Sequence, residues 1–99
     1  MSITQNEKLK LIRESERLKL KEVADLVEIN YHTYHGYETG KMKMSMEAGM
    51  KFFKHPRFRK YRDWFMFDET NPEAGQIAPV LSLSGPDVTT STQSGQKNG

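Results

Sequence analysis

Apolar residues in the first two thirds of the chain recur three and four positions apart, the spacing that lines one face of a helix. Thr4 followed by Glu7 makes a capping box, with Leu9 and Ile12 on one face of a first helix from about Gln5 to Ser15. The run LKLKEVADLV places Leu20, Val23, Ala24 and Val27 at helical spacing and predicts a second helix from about Leu20 to Val27. Asn30 is suited to cap a third helix, and Gly40 to end it in the left-handed conformation. Ser45 can open a fourth, carrying Met46, Met50 and Phe53, which must stop before Pro56 restricts His55. Pro56 can occupy the first turn of a fifth, PRFRKYRDWFMF, with Phe58, Tyr61 or Arg62, and Phe65 along one side.

The pattern changes near Asp68. Beyond it Pro, Gly, Ser, Thr and Gln dominate, and the short apolar piece IAPVLSL, interrupted by Pro79, predicts an extended edge-like segment. The division is therefore 1–67 as a helical domain with a late helix at about 56–67, 68–83 as an extended segment, and 84–99 as a disordered tail. Five short helices without a strand ladder make the fold all-α. The tyrosine-rich stretch NYHTYHGYETG at 30–40 could be a strand by propensity, but an isolated strand among helices has no ladder partner.

Composition narrows the picture. Ninety-nine residues fit one domain with a modest core. The absence of cysteine excludes disulfides and thiolate zinc sites and fits a reducing cytoplasm. No apolar run approaches the length of a membrane span, so no membrane partner is expected. The net charge of +2 is unevenly spread: residues 1–67 hold 14 of the 15 Lys and Arg and 9 of the 13 Asp and Glu, a net +5, leaving −3 for the remainder. A basic ordered half suits a polyanion such as nucleic acid, and solvated surface lysine is the bland alternative.

The second and third helices are joined only by Glu28, Ile29 and Asn30, the spacing of a helix-turn-helix unit. From Leu18 through the Glu22-Val23-Ala24 run, Ile29, Thr33, the Tyr37-Glu38-x-Gly40 ending and Ser45, the chain resembles the lambda-repressor-like, XRE-type helix-turn-helix family. With its late aromatic helix and the ending EAGQIAPVLSLSG through SGQKNG, the whole chain is similar to the short C-type immunity repressors of temperate peduovirus phages. That resemblance implies a homodimeric repressor of the host cytoplasm that binds double-stranded operator DNA and silences lytic promoters in a lysogen. Two positions depart from the family pattern. Glu28 stands at a turn position usually held by glycine, and Leu20 where a polar residue near the DNA backbone is common.

The resemblance places the third helix in the major groove, where all four base pairs can be distinguished. Asn30, Tyr31, His32, Thr33, His35 and Gly36 would then face bases, while Lys19, Lys21, Lys41 and Lys43 would hold phosphates. Gly36 interrupts the side-chain wall and could admit DNA closely, at the usual cost of a mid-helix glycine, about 0.5 to 1 kcal/mol. Tyr34 and Tyr37 are expected to point inward, and Glu38 to pair with Arg13. Histidine changes charge near neutral pH, so DNA affinity is expected to rise as the pH falls. Phe58, Tyr61, Trp64 and Phe65, with Ile77, Val80 and Leu81, are expected to build a symmetric dimer interface, core packing being the default for the aromatic helix. His32 and His35 can share a face but lack the further ligands a metal needs. No metal, cofactor or small-molecule substrate is expected, and no catalytic constellation is legible. The reading from another class is an antitoxin-like interaction module using IAPVLSL.

Overall fold

The computed structural model describes residues 3–83. Helices α1 (Gln5–Ser15), α2 (Leu20–Val27), α3 (Tyr31–Thr39), α4 (Met46–Lys54) and α5 (Arg62–Phe67) follow one another through short connections. The start signals act as the sequence predicts. Thr4 and Glu7 cap α1 reciprocally, the Thr4 hydroxyl accepting from Glu7 N–H and the Glu7 carboxylate from Thr4 N–H. Asn30 opens α3 and Ser45 opens α4 by accepting from first-turn amides, and Gly40 ends α3 at φ 85°.

The apolar faces meet in one core. Leu9 and Ile12 of α1, Val23, Ala24 and Val27 of α2, Tyr34 of α3 and Phe52 of α4 are buried together. Phe52 is its centre, stacked 4.5 Å from Phe58 and 6.2 Å from Tyr34, and edge-on to Phe53 at 4.8 Å. Ala24 of α2 is almost fully buried in this core. The end of α5 is tied to α1 by Lys8, a buried lysine whose ammonium donates to the Trp64 and Phe65 carbonyls and pairs with Asp68 at 2.6 Å. A cation at a helix C-terminus is favourably placed against its partial negative charge.

Two expectations are corrected. The fifth helix does not begin at Pro56. A turn covers 56–58, a tight 3₁₀ turn covers Arg59–Tyr61, and α5 starts only at Arg62. Phe58 and Tyr61 must both enter the core, and three-residue spacing eclipses them in a 3₁₀ turn better than in an α-helix. His55 also holds the turn, its Nδ1 accepting from Arg57 N–H.

The segment 68–83 is only partly extended. Pro72–Ala74 form a 3₁₀ turn inside the loop closed by an antiparallel bridge between Asn71 and Gln76, and Val80–Leu83 form a second 3₁₀ turn after it. Its partner is its own chain: Ile77 N–H donates to Lys60 O, and Leu81 N–H to the Ser15 hydroxyl. Gln76, buried, accepts from Asp63 N–H through Oε1 and donates to Arg59 O through Nε2. Polar atoms at the open start of α5 thus draw the segment down in cis. The expected tail at 84–99 lies outside the described residues.

Candidate nucleic-acid interface

The unit α2–α3 is closed by a turn in which Glu28 adopts the left-handed conformation, φ 60° and ψ 44°. Ile29 N–H returns to Ala24 O at 3.0 Å. Glycine would adopt this turn freely, whereas a side chain strains it by about 1 kcal/mol. The expected glycine-like position is therefore real, and glutamate occupies it against preference.

The turn sets α3 with one face in and one face out. Tyr34, Tyr37 and Glu38 face the core, and Tyr34 is fully buried. Outward, Tyr31 is 40% exposed, His32 and His35 are exposed and Thr33 is half-buried. The three rings form one polar-edged aromatic surface: Tyr31 lies parallel to His35 at 6.0 Å and edge-on to His32 at 5.4 Å. Asn30 has a divided role, since its Oδ1 accepts from His32 and Thr33 amides. Only its NH₂ is left to meet another molecule.

Inward anchoring is ionic as well as apolar. Arg13 Nε donates to Glu38 Oε2 at 2.8 Å and Arg13 Nη1 to Leu18 O at 3.0 Å, as the sequence suggested for this pair. Burial alone would lower the Arg13 pKa, but its hydrogen bond and charge contact with Glu38 outweigh that and raise it. The Tyr34 hydroxyl sits beside this pair without a hydrogen bond of proper geometry, and burial followed by the Glu38 charge pushes its pKa up.

Cations flank the exposed face. Lys19 and Lys21 are exposed at the start of α2, where Lys19 N–H also donates to the Glu22 carboxylate at 2.7 Å. Lys21 reaches Asp25 at 3.7 Å in an exposed pair, an arrangement that stabilises little. Lys41 and Lys43 are exposed after α3, and among the described residues neither has an ion-pair partner. Between Lys19 and Lys21, Leu20 and Tyr31 line a shallow depression.

Not every residue singled out in the sequence lies on this surface. Gly36 is buried, and a Cβ there would come within 2.5 Å of the Met42 terminal methyl. The atom that a side chain at 36 would meet first is thus the flexible end of Met42, which is itself 42% exposed. Phe58, Tyr61 and Phe65 are also corrected: all three are buried in the core of the single chain, and Trp64 packs against it. Of the expected dimer residues Ile77, Val80 and Leu81 remain exposed, joined by Met66, Phe67 and Leu83. Met42 and the depression at Leu20 escaped the sequence reading. The six-residue separation of Gly36 and Met42 was the available sign, and it becomes visible only once Gly40 is known to reverse the chain.

Among the described residues no group of three His, Asp or Glu could hold a metal, and no helix is long and apolar enough to cross a membrane. Glu38, the nearest carboxylate to the two histidines in the sequence, is held by Arg13. No protein-family model matches the chain. It is 43% identical to Repressor protein C of Escherichia phage P2 over 99 residues, which cover 100% of both chains. Identity at that level along the full length of both places this protein in the family of C-type immunity repressors of peduovirus phages.

Proposed function

We propose that the chain is a sequence-specific transcriptional repressor that binds double-stranded operator DNA as a homodimer and maintains lysogeny by blocking lytic promoters. The observation that carries this reading is the outer face of α3: Tyr31, His32, Thr33 and His35 are unclaimed by the core while the opposite face is locked by Tyr34, Tyr37 and Glu38. A short helix held so firmly from behind presents donors, acceptors and ring edges to the major groove. Lys19, Lys21, Lys41 and Lys43 take phosphates on either side and fix the register without reading sequence. The exposed apolar side chains of Ile77, Val80 and Leu81, close to Phe67 in the sequence and facing solvent, supply the surface for a second copy. Two linked modules then occupy two half-sites and gain affinity through effective concentration. Bound across a promoter, such a dimer excludes polymerase.

A salt titration on duplex DNA tests this. With four phosphate-binding lysines per protomer, log K is expected to fall with log salt at a slope of about −3 to −4 per protomer. A duplex from the region flanking the encoding gene should bind at least about a thousandfold tighter than mixed sequence. Salt-independent binding with no preference between the two duplexes would sink the reading and favour an interaction module built on 76–83.

A further inference from the structure

We propose that Gly36 and Met42 are a matched positioning pair that sets the phosphate grip of the loop after α3; this rests on the DNA-binding function proposed above. Gly40, at φ 85°, ends α3, and a bend at residues 41 and 42 brings Met42, 42% exposed, back against the helix at Gly36. Three anchors alternate along this loop. Gly40 lies against the Asn6 side chain, within 3.6 Å of where a Cβ would stand. Met42 is fastened twice, its N–H donating to Gly36 O at 3.2 Å and its terminal methyl filling the space above the Gly36 Cα. Met44, packed against the core, donates its N–H to Gln5 Oε1 at 3.4 Å.

Between these anchors stand Lys41 and Lys43, both exposed and without ion-pair partners among the described residues. Residues 41 and 42 form a bend, so seating Met42 on the helix holds the backbone that carries its two neighbours at a fixed place beside α3. The central anchor is the critical one, because it joins the loop directly to the recognition helix. Gly36 O also accepts from the Thr39 hydroxyl at 3.3 Å, so the carbonyl beneath Met42 is itself held. The position of both ammonium groups relative to Tyr31, His32 and His35 therefore depends on one methionine resting on one glycine. A side chain at 36 or a short one at 42 loosens the same contact from opposite sides.

The test is a volume exchange across the pair, using the full chain and a mixed-sequence duplex, since phosphate contacts carry no sequence information. Met42→Ala is expected to weaken binding about tenfold and to make the salt slope shallower by about one to two contacts. Gly36→Leu alone should do the same by displacing Met42. Gly36→Leu with Met42→Ala should return close to wild-type affinity and slope, because the leucine fills the vacated space. Losses that simply add in the double variant, or a wild-type slope in Met42→Ala, would overturn the pairing. Amide exchange in the absence of DNA gives a readout that does not need the repressor reading. The residue 42 amide should exchange about tenfold faster in Met42→Ala than in wild type. Equal exchange overturns the pair even if DNA binds, and faster exchange in a chain whose wild type ignores duplex DNA overturns the grip while leaving the contact.

Discussion

Helix α1 braces the two halves of the molecule through residues only three apart, and the two braces are built on opposite principles. Arg13 reaches α3 and meets the buried carboxylate of Glu38, whose side chain is 5% exposed, with Glu14 of its own helix a longer contact at 3.9 Å. Glu16 reaches the 57–61 turn and collects three donors: Arg57 Nε at 2.8 Å, Lys60 Nζ at 3.0 Å and the Tyr61 hydroxyl at 2.5 Å. The first rests on one short ion pair in a dry place, and it holds the helix that presents the exposed aromatic face. The second is shared among several partners near the surface, so it can lose one and keep its shape. Precision is placed under the exposed face of α3, and tolerance where the chain only has to be tied down.

The largest effect comes from breaking the brace to Glu38. Arg13→Met leaves the Glu38 carboxylate buried and unpaired, and urea unfolding should register a loss of about 3 kcal/mol. Arg13→Met with Glu38→Leu should recover most of it, because no charge is then left stranded. A double variant no better than the single would mean that the contact with Leu18 O, not the ion pair, carries the brace.

A smaller and pH-dependent effect separates the other brace. Burial alone would raise the Glu16 carboxyl, but hydrogen bonds from Tyr61, Arg57 and Lys60 overcome it and hold the pKa below the ordinary value of 4.5. Since the folded value is the depressed one, the stabilisation is fully present above about pH 4.5 and fades as the pH falls through the lower folded value. Glu16→Gln should cost about 1 kcal/mol at neutral pH and flatten the acid limb of a stability profile below the ordinary carboxylate value of 4.5. An unchanged acid limb would assign it to other carboxylates.

The smallest effect lies at a site that neither brace reaches. Glu28→Gly relieves the left-handed strain at φ 60° and should raise stability by up to about 1 kcal/mol in thermal unfolding. The gain should add unchanged to either brace variant. A gain that vanishes in the Arg13→Met background would show that the turn and the buried pair act as one unit.

These regions also differ in how far they could be read in advance. Thr4 with Glu7, Asn30, Gly40 and Ser45 are local signals that act within a few residues, and they set the starts of α1, α3 and α4 and the end of α3. Arg13 with Glu38 was accessible because a charge facing inward on each of two neighbouring helices must find a partner. The Glu16 cluster was not, since its donors lie 41 to 45 residues away and become its neighbours only when Phe58 and Tyr61 enter the core. The same long-range packing displaced the start of the fifth helix and removed Phe58, Tyr61 and Phe65 from the surface expected to meet a second copy. On the exposed face of α3 the aromatic and histidine positions followed from helical period, while the contact between Gly36 and Met42 was not legible because Met42 sits across a chain reversal.

Gln76 carries one more consequence, concerning which residues this position can accept. Its amide accepts from one backbone N–H and donates to one backbone carbonyl, both in the 59–63 stretch. Asparagine has the same chemistry but is a methylene too short. Glutamate has the length but turns a second lone pair toward the Arg59 carbonyl, and methionine has the length with neither function. The route taken by residues 77–83 along the body of the protein is thus keyed to a single amino acid type, at a position where the surrounding sequence shows no sign of such strictness.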